Sequence, residues 1–294
     1  MKISAKTQGY IFALIATLLW ASNIIVARNI SDSFPPVALA FFRWLVAVIL
    51  FTPFAFKQLV CEWAVIKKHL PYVLITSFLG ISLFNVLFYV AAQTTTALNL
   101  SLISISFPVF IIIFSRIFFM ERVSIKRIIG IILVISGIIV LLFKGSPELF
   151  FQLTFYQGDV LMLFASVLFA IYTILIQKKP VHLKMIPFQY FTFLIGLLFL
   201  LPFYLIEIKM GYRGIININS ILSIIYAGAF ASVGALIMWN KSVSLIGPVK
   251  AGILYYTLPI FSGCLAIIFL NEIVFMFHLV SGFLIILGII ISNK

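Results

Sequence analysis

Charge is scarce in this chain. Of its 294 residues only 9% are Asp, Glu, Lys or Arg, roughly a third of the share in a soluble globular domain. Acids are the rarest: Asp32, Glu62, Glu121, Glu148, Asp159, Glu207 and Glu272, each in a loop or at the end of an apolar run. The three histidines, His69, His182 and His278, sit at run ends with no HExxH and no neighbouring Cys or carboxylate pair, which removes the usual metal-hydrolase arrangements. Two cysteines, Cys61 in a Lys-rich loop and Cys264 deep in an apolar run, build no disulfide framework. No nucleophile, metal cluster or cofactor motif is left, so no catalytic residue, no metal and no cofactor are expected.

What remains is apolar. Hydrophobic residues make up 64% of the chain and mean hydropathy is +1.26, too much to bury in water at this length, so a soluble enzyme and a nucleic-acid binder are excluded and the solvent is a bilayer. A membrane helix takes about 20 apolar residues, and ten such runs can be delimited: 9–29, 36–56, 70–92, 97–118, 126–143, 158–177, 186–206, 219–240, 248–270 and 275–292. Pro35-Pro36 opens the second, Pro71 the third, and Gly145-Ser146-Pro147 closes the first half. The first run, behind Lys2 and Lys6, is too long for a signal h-region and is expected to stay as an uncleaved span. With the N-terminus inside, 15 Lys and Arg fall on the cytoplasmic side and 4 outside, so both termini are expected in the cytoplasm of a bacterial inner-membrane protein. The net charge of +13 then reflects loops facing an anionic leaflet rather than nucleic acid.

The halves repeat. Gln8-Gly9 matches Gln157-Gly158 at an offset of 149, and Pro108, Glu121 and Gly137 match Pro259, Glu272 and Gly288 at 151. Five spans per copy is an odd number, so the second copy enters the membrane inverted. The expected fold is all-α integral membrane, ten transmembrane helices in two inverted repeats over 9–143 and 158–291. Such repeats are typical of secondary transporters, with the site near the midplane where the copies meet.

The phrases Leu19-Trp20-Ala21-Ser22-Asn23 and Ala40-Phe41-Phe42-Arg43-Trp44 open the first copy. Phe107-Pro108-Val109-Phe110 leads to Met120-Glu121-Arg122, and Leu258-Pro259-Ile260-Phe261 to Leu270-Asn271-Glu272. In this order the chain resembles the EamA family of the drug/metabolite transporter superfamily over nearly its whole length. The resemblance implies an inverted-repeat bundle of ten helices that moves small metabolites, often amino acids, by alternating access. One departure is Phe169, where many relatives carry a second Trp.

Polar residues inside spans should face helices or a cavity, because hydrocarbon offers them no partner. Ser82, Asn85, Tyr89 and Gln93 share one face of the third span, Ser101 and Ser104 one face of the fourth, and Trp20 and Asn23 one face of the first. The repeat carries Trp20 and Asn23 onto Phe169 and Tyr172, Tyr89 onto Asn240, and Ser104 onto Tyr255. The expected lining is therefore Trp20, Asn23, Asn85, Tyr89, Ser101, Ser104, Phe169, Tyr172, Asn240 and Tyr255. Its aromatic and neutral-polar chemistry suits a zwitterion or planar metabolite. Lys250 is added as a candidate for a substrate carboxylate, against the alternative of a lysine reaching to the surface. Arg43, well inside the second span, is a functional hypothesis by position; with no polar partners in its own span it reads as a structural arginine held by helix-end carbonyls, outside the cavity. Pro108 and Pro259 are expected to bend their helices near the midplane and serve as hinges.

No acid lies between Gly9 and Ala27, so facilitated diffusion, exchange or export without a buried coupling carboxylate is expected. A polar-solute channel and a membrane-embedded enzyme are the alternatives. The fifth and tenth spans, with Gly130 and Gly137, Ser281 and Gly288 each seven apart, are expected to pack at the periphery through small faces and could join two copies of the chain. Expected partners are thus a small-molecule substrate, the lipid bilayer and a second copy.

Overall fold

In hydrocarbon a backbone can satisfy its polar groups only within a helix or a closed barrel, and every long apolar run here becomes helical. The computed structural model describes residues 4–30, 34–94, 97–120, 124–142, 157–212, 214–270 and 276–292. The first half contains α1 (Ala5–Ile30), α2 (Pro36–Cys61), the short α3 (Trp63–Lys68), α4 (Leu70–Ser77), α5 (Phe84–Thr94), α6 (Ala97–Ser104), α7 (Phe107–Phe119) and α8 (Ile125–Leu142). The second contains α9 (Gln157–Gln177), α10 (Met185–Lys209), α11 (Ile218–Tyr226), α12 (Ala235–Ile246), α13 (Pro248–Tyr255), α14 (Leu258–Leu270) and α15 (Met276–Ser292). Among the described residues there is no strand. Six runs, Ala5–Ala27, Pro36–Cys61, Leu70–Thr94, Val160–Gln177, Met185–Lys209 and Ile218–Ile246, are long and apolar enough to cross a bilayer.

Two features interrupt the rods, and each occurs at matching places in both halves. The third span widens into a π-helical segment at Phe78–Leu83, and the eighth does so at Ala227–Gly234. Periodicity does not reveal these segments, since one extra residue per turn leaves an all-apolar run all-apolar. The fourth and ninth spans are broken outright. α6 ends at Ser104 and α13 at Tyr255, a tight turn follows (Ser106 N–H to the Ile103 carbonyl, 3.0 Å; Tyr256 N–H to that of Ile253, 3.2 Å), and a new helix starts at Phe107 or Leu258. Pro108 and Pro259 each occupy the second position of the new helix, where a missing N–H costs nothing. The expected bend is thus a full break.

The packing obeys a pseudo-two-fold. α1 packs on α12 and α14, and on exchanging halves α9 packs on α5 and α7; α2 with α10, and α8 with α15, are each exchanged into themselves. α8 and α15 form an edge pair. A Cβ on Gly288 would lie 2.6 Å from the Gly130 carbonyl oxygen, so the backbones are in direct contact there, while Ile128, Ile132, Phe283 and Ile286 point outward. The side chain of Ser281, expected on this face, lies outside the described residues. Small residues line the close helix contacts and large apolar ones cover much of the outer face: Ala13, Ala16 and Ala21 on α1 are fully buried, whereas Phe54 on α2 is 73% exposed. That is the pattern of a protein whose solvent is lipid.

Candidate functional site

The middle of the bundle is a layer of rings. Trp20 (α1) meets Phe169 (α9) at 5.4 Å, Trp239 (α12) at 5.3 Å and Tyr255 (α13) at 5.8 Å between centroids. Phe107, the first residue of α7, meets Tyr255 at 4.2 Å, Phe169 at 5.1 Å and Trp239 at 5.6 Å. Most of these contacts are edge-to-face, the arrangement that suits the quadrupoles of facing rings. Five helices from both halves contribute. The break before α7 is what turns Phe107 inward beside Tyr255, the last residue of α13.

On one side of this layer lies a small cavity of about 40 Å³, lined by Trp20, Asn23, Ile24, Arg43, Phe84, Phe88, Ser104, Phe107, Met162, Ser166, Phe169 and Tyr255. α1 and α9 run antiparallel, so Trp20 and Phe169 form its floor while Ile24 stands about one turn and Met162 about two turns farther from the N-terminal end of α1. The opposite side of the layer is shut. One turn beyond Phe169, Tyr172 is hydrogen-bonded at 2.8 Å to the amide nitrogen of Asn240, both buried, and Trp239 Nε1 donates to Thr173 Oγ1 at 3.3 Å. Gly80 in the first π segment makes room for this plug: a Cβ there would come within 2.2 Å of the Tyr172 ring.

Arg43 is the one charged residue in the lining. It is 5% exposed, and its partners all come from other helices. Nε donates to Ser232 Oγ, Nη1 to the Tyr89 hydroxyl at 2.8 Å, and Nη2 to the Ala231 carbonyl at 2.9 Å. The guanidinium also lies over the rings of Trp44 (5.4 Å) and Tyr89 (5.8 Å), in the range of a cation–π contact. The second π segment supplies the acceptors. Its widened turn presents the Ala231 carbonyl to both Arg43 and Trp20 Nε1 (3.1 Å), while Ser232 Oγ donates to the Ala227 carbonyl five residues back. The sequence reading of Arg43 is corrected here: its partners are distant in sequence, and it faces the cavity.

Of the expected lining residues the cavity brings together Trp20, Asn23, Ser104, Phe169 and Tyr255. Tyr89 stands behind Arg43, and Tyr172 and Asn240 form the plug. Asn85 does not reach the cavity; its Nδ2 donates to the Ile81 carbonyl of its own helix at 2.7 Å. Ser82, on the same face, donates to the Gly196 carbonyl of α10 at 2.8 Å, and Ser101 is buried away from the lining. Lys250 sits in a separate surface recess with Arg127 and Gln177, far from any cavity carboxylate role. Phe84, Phe88, Phe107, Met162, Ser166 and Trp239 escape sequence reasoning because aromatic and small residues are everywhere in the chain. The repeat could have found two of them, since Phe88 and Trp239 correspond at the offset of 151.

The comparisons agree with this architecture. The sequence profile of the EamA-like transporter family matches residues 7–143 and again 156–294. An uncharacterized transporter of Archaeoglobus fulgidus is 25% identical over 98% of both chains, and the uncharacterized transporter YetK of Bacillus subtilis is 24% identical over 99% of this chain and 88% of its own. A crystal structure of a protein with 17% identity superimposes with a TM-score of 0.74 over 97% of this chain and 96% of that one, a likeness of fold. Two family matches in tandem, one on each half of a bundle whose halves exchange, are what an internal duplication leaves behind; the chain is a membrane transporter of the EamA-like family.

Proposed function

We propose that this transporter is a secondary carrier of the bacterial inner membrane, with both termini in the cytoplasm. It moves a small zwitterionic or planar metabolite, such as an amino acid, by facilitated diffusion, exchange or export. The observation that carries the reading is the cavity at the join of the two halves, lined by residues of both and backed on one side by the Tyr172–Asn240 plug. A continuous polar path, as a channel needs, is interrupted by the ring layer, and alternating access through opposite sides of one site is the motion an inverted repeat supports. Proteoliposomes loaded with unlabelled amino acids should accumulate an external labelled amino acid transiently above its equilibrium level. Monotonic filling without an overshoot for every amino acid would overturn the carrier. For orientation, a C-terminal fluorescent fusion should be bright and an alkaline phosphatase fusion inactive; the reverse would place the C-terminus outside.

A further inference from the structure

A buried cation normally comes with its counter-charge, and among the described residues no carboxylate is paired with Arg43. Among the described residues no carboxylate lines the cavity. The ion pair found among the described residues, Lys184 with Glu62, lies at the surface. Arg43 instead rests on two hydroxyls and one carbonyl, dipoles that orient it without neutralising it. Holding a full charge in this surrounding is expensive, and the cost falls when an anion arrives. Donor capacity points the same way. A guanidinium carries five N–H groups; the three bonds to Ser232, Tyr89 and Ala231 use one on each nitrogen, which leaves one on Nη1 and one on Nη2. Two donors on the terminal nitrogens of a planar fork match the two oxygens of a carboxylate. A second polar group is available: Asn23, 4% exposed, lines the same cavity and its Oδ1 has no hydrogen-bond partner. It is an acceptor for an N–H or O–H of a ligand. The wall also carries Trp20, Phe84, Phe88 and Phe169, which offer ring faces to an apolar or planar body.

We propose that the cavity is a carboxylate site, with the guanidinium of Arg43 receiving the carboxylate of the substrate, Asn23 accepting from a neighbouring donor group, and the aromatic wall covering the remainder. This deepens the carrier reading and rests on it for its function, but binding can be tested apart from movement. The full chain in detergent is heated with matched acids and amides: phenylacetate against phenylacetamide, and phenylalanine against phenylalaninamide. An acid should raise the unfolding midpoint where its amide does not. A shift with phenylacetate alone identifies a plain anion as the preferred class, and one with phenylalanine a zwitterion; either supports the site. Arg43→Gln should abolish the acid-over-amide difference, while Arg43→Lys, which keeps the charge and loses the fork, should retain it with binding weakened at least about tenfold. Equal shifts from acid and amide, no shift from either acid, or undiminished acid binding in Arg43→Gln would each overturn the proposal. If Arg43→Gln does not fold, the lysine variant decides: acid binding as tight as wild type would exclude a bidentate fork. Counterflow is read separately, so failed transport with intact acid selectivity removes the carrier and leaves the site.

Discussion

Glu207 illustrates how single side chains hold this bundle together. α2 begins with Pro35 and Pro36, and Pro35 has no side chain to cap it. The first N–H groups of a helix are orphaned unless something accepts from them, and in hydrocarbon water does not. Glu207, near the end of α10 and only 7% exposed, accepts from Val37 N–H at 3.0 Å and Ala38 N–H at 2.6 Å. Its negative charge also sits at the positive end of the helix dipole. The carboxylate of one half thus caps a helix of the other. Glu207→Ala should destabilise the protein by about 1–3 kcal/mol, and Glu207→Gln by less because one acceptor survives; detergent thermal unfolding measures both. A wild-type midpoint for the alanine variant would mean that the cap contributes nothing. From the sequence Glu207 is legible as an acid at a span end, but the helix it caps is 169 residues away.

On the carrier reading, the broken helices α6–α7 and α13–α14 are the joints expected to move. An intact helix resists bending along its whole ladder, whereas a break with a proline just after it concentrates the change at two or three residues. Both breaks touch the site directly: Ser104 ends α6, Phe107 begins α7, Tyr255 ends α13, and all three line the cavity. Restoring the missing N–H should let each helix run through and stiffen the joint. Pro108→Ala with Pro259→Ala is expected to fold and to bind ligand as tightly as wild type but to transport several-fold more slowly in proteoliposomes; wild-type rates would make the breaks static packing features. The positions of these joints were legible from Pro108 and Pro259 alone. The π segments were not, and they matter as much, since one of them presents Ala231 and Ser232 to Arg43.

On the carrier reading, the whole bundle gives alternation a specific form. The plug joins Tyr172 to Asn240. Under the repeat these two residues correspond to Asn23 and Tyr89, the same pair of side chains with their places exchanged. In the observed state the second pair is apart: Asn23 Oδ1 is unpartnered and the Tyr89 hydroxyl is taken by Arg43. Pseudo-symmetry predicts that in the opposite state Tyr172 and Asn240 separate while Tyr89 leaves Arg43 for Asn23. A ligand carboxylate on the remaining donors of Arg43 would neutralise the guanidinium, weaken its bond to Tyr89 and favour that exchange. With Cys61 and Cys264, both exposed, replaced by serine, the cysteine pairs 172/240 and 23/89 should each crosslink with a short bifunctional reagent and each halt transport. A molecule crosslinked at both pairs at once should not form, and its recovery in high yield would contradict the exchange.

Hydropathy, turn punctuation and self-similarity are properties of the chain in one dimension, and they were enough for the membrane, the spans, the inverted repeat and the residue types near the midplane. Trp20, Asn23, Ser104, Phe169 and Tyr255 were found by that route. The rotation of each helix about its axis was not, for a physical reason. In water an amphipathic stripe marks the buried face, but here lipid and core are both apolar, so the same residues suit either side. Which side chains meet is then settled by close packing and by the few polar groups that must find partners. Arg43 is the clearest case: Tyr89, Ala231 and Ser232 lie 46, 188 and 189 residues from it. Only the assembled bundle brings them to one guanidinium at the wall of the cavity.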